Sequence, residues 1–236
     1  MAAKRELTKL ARPTAGFDAS RYFRGDHGLG FYNAGSGHVR ALSREIYRAQ
    51  RDRWTLRDAL SFADALMPDR YLEAKAVGIE VVARYRTDFT PQVLRRCKRW
   101  LAKNHSANWA TTDEICGEII GPLLTRHPAL IPQLRAWAAH RSLWVRRASI
   151  VGLLKAMRVG GTIDQVYATA KRLHGDPHDL IHKAVGWALR EAGKVDAARL
   201  DRYLRANVGI IPRTTFRYAI ERFSERKRRQ LLALRP

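Results

Sequence analysis

Cysteine is nearly missing from this chain: Cys97 and Cys116 are the two in 236 residues, and neither belongs to a CxxC pair. That argues against a disulfide scaffold and against a cysteine-based zinc site. Long apolar runs are lacking too. Nothing approaches the roughly 18 residues of a membrane span. The opening MAAKRELTKLARPTAGFD lacks the apolar stretch of about 7–15 residues that marks a secretory signal. A soluble, cytoplasmic protein is expected. Sustained period-2 alternation is also absent, which speaks against a sheet. No Gly-x-Ser-x-Gly elbow or kinase signature occurs, so a serine nucleophile or kinase chemistry has no support. The stretch RGDHGLGFYNAGSGHVRAL (24–42) holds five glycines, but no GKS/T follows and no strand precedes it, so it reads as loop rather than as a phosphate-cradling turn.

Acids are the scarcest charged class relative to their opposites: 22 Asp and Glu stand against 44 Lys and Arg, for a net charge of +22. Thirty-four of the basic residues are arginine, whose rigid fork of donors suits phosphate oxygens. A high-GC genome favours Arg over Lys, but it does not explain two bases for every acid. The excess lies throughout a chain that is 46% hydrophobic, so it belongs to a folded body and points to a polyanion, with nucleic acid the first choice.

Apolar residues recur at helical spacing almost everywhere. Helices are predicted over about 38–51, 56–67, 70–86, 91–103, 112–126, 128–139, 142–158, 162–173, 178–192, 195–205, 212–223 and 224–234. Pro91, Pro128 and Pro212 stand at starts, and Gly160, Gly161 and Gly193 near ends. Ser36 or Gly37 is placed as the cap of a helix beginning at His38. Short connections make successive helices antiparallel, and pairs of about 35–40 residues suggest an all-α, HEAT-like α-solenoid, with a compact irregular bundle as the alternative. The whole of 1–236 reads as one such domain, with residues 1–35 left open as a looser N-terminal segment.

Few residues stand out chemically. His174, His178 and His182 have i, i+4 spacing, but Gly175-Asp176-Pro177 interrupts the helix, so surface or capping roles outweigh metal binding; neither a metal nor another cofactor is expected. In NHSANWATTDEI, Thr111 and Glu114 have capping-box spacing, which would put Asp113 in a first helical turn and Trp109 just outside it. In HRSLWVRRASIVGLL, Arg147 lies on or beside the apolar stripe of Leu143, Trp144, Ile150, Val151 and Leu154, a costly place for a guanidinium without a partner. In DLIHKAVGWALREAG, Trp187 shares a side with Lys183 and Arg190 rather than with the buried stripe.

Four segments taken together resemble the AlkD-like DNA glycosylases, bacterial DNA alkylation repair proteins built from HEAT-like repeats. They are Trp109…Asp113, Leu143-Trp144-Val145-Arg146-Arg147-Ala148, the run from His182 to Glu191, and that from Pro212 to Ile220. The likeness extends over about residues 38–223. It implies a C-shaped solenoid that holds double-stranded DNA in a basic concave face and acts as a monomer. It further implies hydrolysis of the N-glycosidic bond of cationic bases alkylated at N3 or N7. On this resemblance Asp113 is the catalytic carboxylate and Trp109 and Trp187 are the cleft tryptophans. Arg147 contacts DNA, with Lys183 and Arg190 beside it fixing phosphates. The backbone of the lesion, rather than a flipped base, would be gripped. The chain departs from the family pattern at Ala110, where an acidic residue is common, at Thr112, where an apolar one is, and at Gly35-Ser36-Gly37. A non-catalytic DNA-binding repeat protein is the alternative reading.

Overall fold

The computed structural model describes residues 2–12, 22, 23 and 28–234. Among them no strand occurs, and an isolated parallel bridge joins Gly30 to Tyr71. No helix among the described residues is long and apolar enough to cross a membrane. The chain divides into two compact units, Met1–Leu123 and Leu124–Pro236.

The first unit contains α1 (Ala2–Lys9), α2 (Ser36–Gln50), α3 (Leu56–Leu66), α4 (Leu72–Ala83), α5 (Gln92–Ala102) and α6 (Trp109–Ile115). Its core is α4, LEAKAVGIEVVA, in which only Leu72 and Glu80 keep intermediate exposure. A helix that is apolar all round must be covered on every side, and α4 is covered by α1, α2, α3 and α6. Helix α1 lies outside the predicted helices because its apolar signal is only Ala3 and Leu7, yet both are buried. Lys4 pairs with Asp69 below it. Helix α2 begins at Ser36, two residues before the expected start, and its N-cap is Gly35 rather than Ser36 or Gly37. Gly35 has φ +79, a left-handed backbone that glycine adopts without strain. Residues 24–27 of the glycine-rich stretch lie outside the described residues.

Helix α7 (Gly121–Arg126) runs through the boundary. The second unit holds α8 (Ile131–Ala136), α9 (Leu143–Val151), α10 (Leu153–Arg158), α11 (Ile163–Leu173), α12 (Asp179–Val195), α13 (Ala197–Ala206), α14 (Arg213–Ala219) and α15 (Glu225–Leu232). The predicted segment 128–139 is not one helix. Tight 3-10 turns at Pro128–Leu130 and Trp137–Ala139 flank α8, and segment 142–158 divides at Gly152.

Helix α12 organises this unit, packing on α9, α11 and α13 and most extensively on α14. The glycine inside its KAVGW run has a packing reason. A Cβ at Gly186 would lie 2.4 Å from Tyr218 Cβ and 2.7 Å from the Thr215 carbonyl oxygen. Thr215 Oγ1 then donates to the His182 carbonyl at 2.9 Å, tying the two helices where they touch. The three spaced histidines go to three separate tasks. His174 Nε2 meets Tyr203 Oη at 2.7 Å, His178 Nδ1 accepts from Leu180 N at 3.2 Å as a cap, and His182 Nε2 bonds the Asp176 carbonyl at 2.6 Å. Gly186→Ala is expected to cost about 1–3 kcal/mol, the range for overpacking, and to lower Tm in thermal melts followed by circular dichroism. An unchanged Tm would contradict the close α12–α14 approach.

Candidate nucleic-acid interface

The local design of α6 differs from the expectation. Asn108 is the cap: its Oδ1 accepts from Thr111 N at 2.8 Å, and its Nδ2 donates to Ser106 O at 2.9 Å and to Thr111 Oγ1 at 3.0 Å. The helix therefore starts at Trp109, and the expected Thr111–Glu114 box does not form. Asn is the better cap, and it uses the Thr111 hydroxyl that the box would have needed. The chain enters through left-handed Asn104 and Ala107, at φ 60 and 58, before Asn108 extends. One consequence concerns Asp113. It is the fifth helical residue, so the N-terminal dipole, which acts over the first turn, is not what positions its charge.

The same capping decides which side of α6 is presented. Thr111, Thr112 and Ile115 are buried, while Trp109, Ala110, Asp113 and Glu114 keep partial exposure. Positions i, i+1, i+4 and i+5 form one helical face, so Trp109 and Asp113 stand one turn apart on it. Trp109 is held by residues distant in sequence. Its ring stacks on Phe23 at 5.3 Å and 17°, and its Nε1–H donates to the Tyr22 carbonyl at 3.4 Å. Phe23 in turn lies 5.4 Å from Phe31.

Beside this face is a cavity of about 410 Å³ whose lining includes Phe31, Arg40, Glu80, Ala110, Glu114 and Glu118. Burial first, and then the charges of Glu80 and Glu118, push the Glu114 carboxyl up to about 8, with Arg40 opposing. Glu73, also in the lining, accepts from Tyr32 N at 3.0 Å. Sequence reasoning passes over these acids. The signal is present as the four-residue spacing of Ala110, Glu114 and Glu118, and as two glutamates inside the apolar α4.

The remaining candidates belong to the second unit. Arg147 is only 5% exposed, and its Nη1 donates to the Leu180 carbonyl at 2.6 Å, so this guanidinium is answered by the first turn of α12. Trp187 is partly exposed. Lys183 pairs with Asp179 at 2.7 Å, and that hydrogen bond raises its pKa against burial, which lowers it. Arg190 pairs with Glu221 on the turn after α14 and lies 3.8 Å from Glu191. Trp109 and Asp113 thus share one unit and one helix face, whereas Arg147, Lys183, Trp187 and Arg190 share the other unit. No group of three or more His, Cys, Asp or Glu among the described residues could hold a metal ion.

Fold and residues together define an all-helical solenoid of the kind expected from the sequence. The family model for DNA alkylation repair enzymes matches residues 3–223, and the chain belongs to that family. A protein of Enterococcus faecalis described as a predicted DNA alkylation repair enzyme superimposes with a TM-score of 0.77, covering 91% of this chain and 97% of its own at 16% identity. At that identity the likeness establishes the shared fold. No curated protein matches the chain in sequence.

The raised Glu114 carboxyl gives a stability test. A carboxyl whose folded pKa lies above its unfolded value contributes stability at low pH and loses it as pH rises through the folded pKa. Wild-type protein is therefore expected to lose Tm between about pH 4.5 and 8 through this group. Glu114→Gln should raise Tm relative to wild type at pH 9 and leave it nearly equal at pH 5. Equal Tm values at pH 9 would show that Glu114 is not held protonated.

Proposed function

We propose that the protein is a DNA glycosylase that hydrolyses the N-glycosidic bond of cationic N3- or N7-alkylated purines in double-stranded DNA. The observation that carries this reading is the face of α6. Membership of a family of enzymes that repair alkylated DNA brings the substrate class, and Asp113 is a carboxylate on a partly exposed helix face one turn from an indole.

The chemistry asks little of the protein. An alkylated purine that already carries positive charge leaves as a neutral base when the C1′–N bond breaks, since the bonding pair goes to the base nitrogen. No general acid is needed. Positive oxocarbenium charge develops on the deoxyribose, and a nearby carboxylate stabilises it electrostatically. Asp113 takes that role. It also orients the water whose oxygen bonds to C1′ and accepts that water's proton. The products are the free base and an abasic site. Trp109, fixed by Phe23, holds the lesion nucleotide through cation–π and CH–π contact worth about 0.5–2 kcal/mol, and Trp187 is the tryptophan proposed to contact DNA in the second unit.

Lys183 and Arg190 supply phosphate contacts, which give affinity and no sequence reading. Each must share its carboxylate partner or exchange it for phosphate. Arg147, buried against Leu180, acts as a positioning residue for the first turn of α12, two turns ahead of Trp187. One copy of the chain without a cofactor suffices for this reading.

The test is release of free 7-methylguanine or 3-methyladenine from methylated duplex. Asp113→Asn should lower the single-turnover rate by at least about 10²-fold, the scale of losing one electrostatic stabiliser, with duplex affinity little changed. Matching rates would remove Asp113 from the chemistry. Tight, salt-dependent binding without base release in wild type would point instead to the non-catalytic DNA-binding reading.

A further inference from the structure

Four arginines gather between α3 and α5 in the first unit. A depression of about 580 Å³ there is lined by Arg57, Arg95, Arg96 and Arg99, with Thr90 and Gln92 at its edge. Its floor is apolar: Leu60 is 8% and Val93 1% exposed. The arginines follow from the sequence of α5, QVLRRCKRWLA. Val93, Leu94, Cys97, Trp100 and Leu101 are buried, and the opposite side is left to the basic residues. Helix α5 opens at the depression, so the positive end of its dipole adds to the same field.

Carboxylates are shared at other junctions of the chain: Glu191 pairs with Arg158 and Lys194, and Asp201 with Arg205 and Lys227. Here two of the four guanidiniums share one carboxylate. Asp64 accepts from Arg96, from Arg99 at 2.9 Å and from Trp100 Nε1 at 2.6 Å. Arg57 and Arg95 are exposed and form no ion pair with a carboxylate of the described residues. Clustered cations of this kind repel one another, and a polyanion relieves the repulsion.

We propose that this depression is a second DNA-binding site, which grips a phosphodiester backbone. Gln92, Arg95, Arg96 and Arg99 follow one another along α5, and Arg57 faces them from α3, so the donors form a row suited to successive phosphates. Guanidinium forks and a threonine hydroxyl are donors for phosphate oxygens. No residue of α6 lines it; the backbone gripped here would be a second segment, on the same duplex or on another one. The proposal rests on DNA being the family's substrate but not on the role given to Asp113.

The test uses the full chain and an undamaged duplex, with Arg57→Gln/Arg95→Gln. Both side chains are exposed, so the fold is retained, and equal thermal melts confirm that. Duplex affinity is measured by fluorescence anisotropy across a salt series, and stoichiometry by analytical ultracentrifugation. The double variant should flatten the slope of log K against log[salt] by about 1.8, roughly 0.9 for each phosphate that is no longer neutralised. It should also fail to take up the weaker duplex equivalent that wild type binds, while single-turnover base release at saturating enzyme stays unchanged. An unchanged slope and stoichiometry would overturn the proposal, as would weakening confined to RNA of equal length. If wild type releases no base yet the double variant binds DNA more weakly with the flatter slope, the glycosylase reading fails and the second site stands.

Discussion

Charge is the constraint on which this structure depends. Forty-four cations must fold beside 22 anions, and self-repulsion on that scale opposes compaction. The chain answers by placing carboxylates where helices meet. Asp69 ties α1 through Lys4, Asp64 ties α5 to α3, and Asp176 ties α9 to the start of α12. Glu191 holds Arg158 and Lys194, and Asp201 holds Arg205 and Lys227. Exposed pairs of this kind contribute about 0–1 kcal/mol each. Several of these acids are nearly covered, however: the Asp69, Asp176 and Glu191 side chains are 5% exposed. Removing one of them would leave its cations without an answer inside a packed junction.

A second group of acids lines the cavity beside α6. Burial, and then the charges of Glu80 and Glu118 in the same cavity, keep Glu114 protonated at neutral pH, while Glu80 also pairs with Arg40 and Arg84. These acids stand beside the helix face that bears Asp113.

Much of the fold is legible in the sequence because helical periodicity survives in single segments. The starts of α3, α5 and α14 fall within one residue of expectation, where Thr55, Pro91 and Pro212 act as N-caps. The errors come from local competition that periodicity does not show. Asn108 displaces Thr111 as a cap and moves Trp109 into the helix. Helix α1 escapes prediction because two buried apolar residues are too few to show a period. The candidate residues are legible as chemical types and less so in their surroundings. Arg147 stands out as costly on an apolar stripe, and its partner proves to be a backbone carbonyl 33 residues later. The Phe23 stack on Trp109 and the acidic cavity arise from contacts between distant segments, which no spacing encodes.

The assigned chemistry turns on one substitution: a pre-existing positive charge on the base takes the place of a general acid. It is tested most directly by comparing single-turnover base release from two duplexes of the same sequence. One contains N7-methylguanine, which is cationic, and the other O6-methylguanine, which is neutral. The expected result is release of the cationic base and none of the neutral one above the uncatalysed background. Comparable release from both duplexes, or from neither, would contradict it.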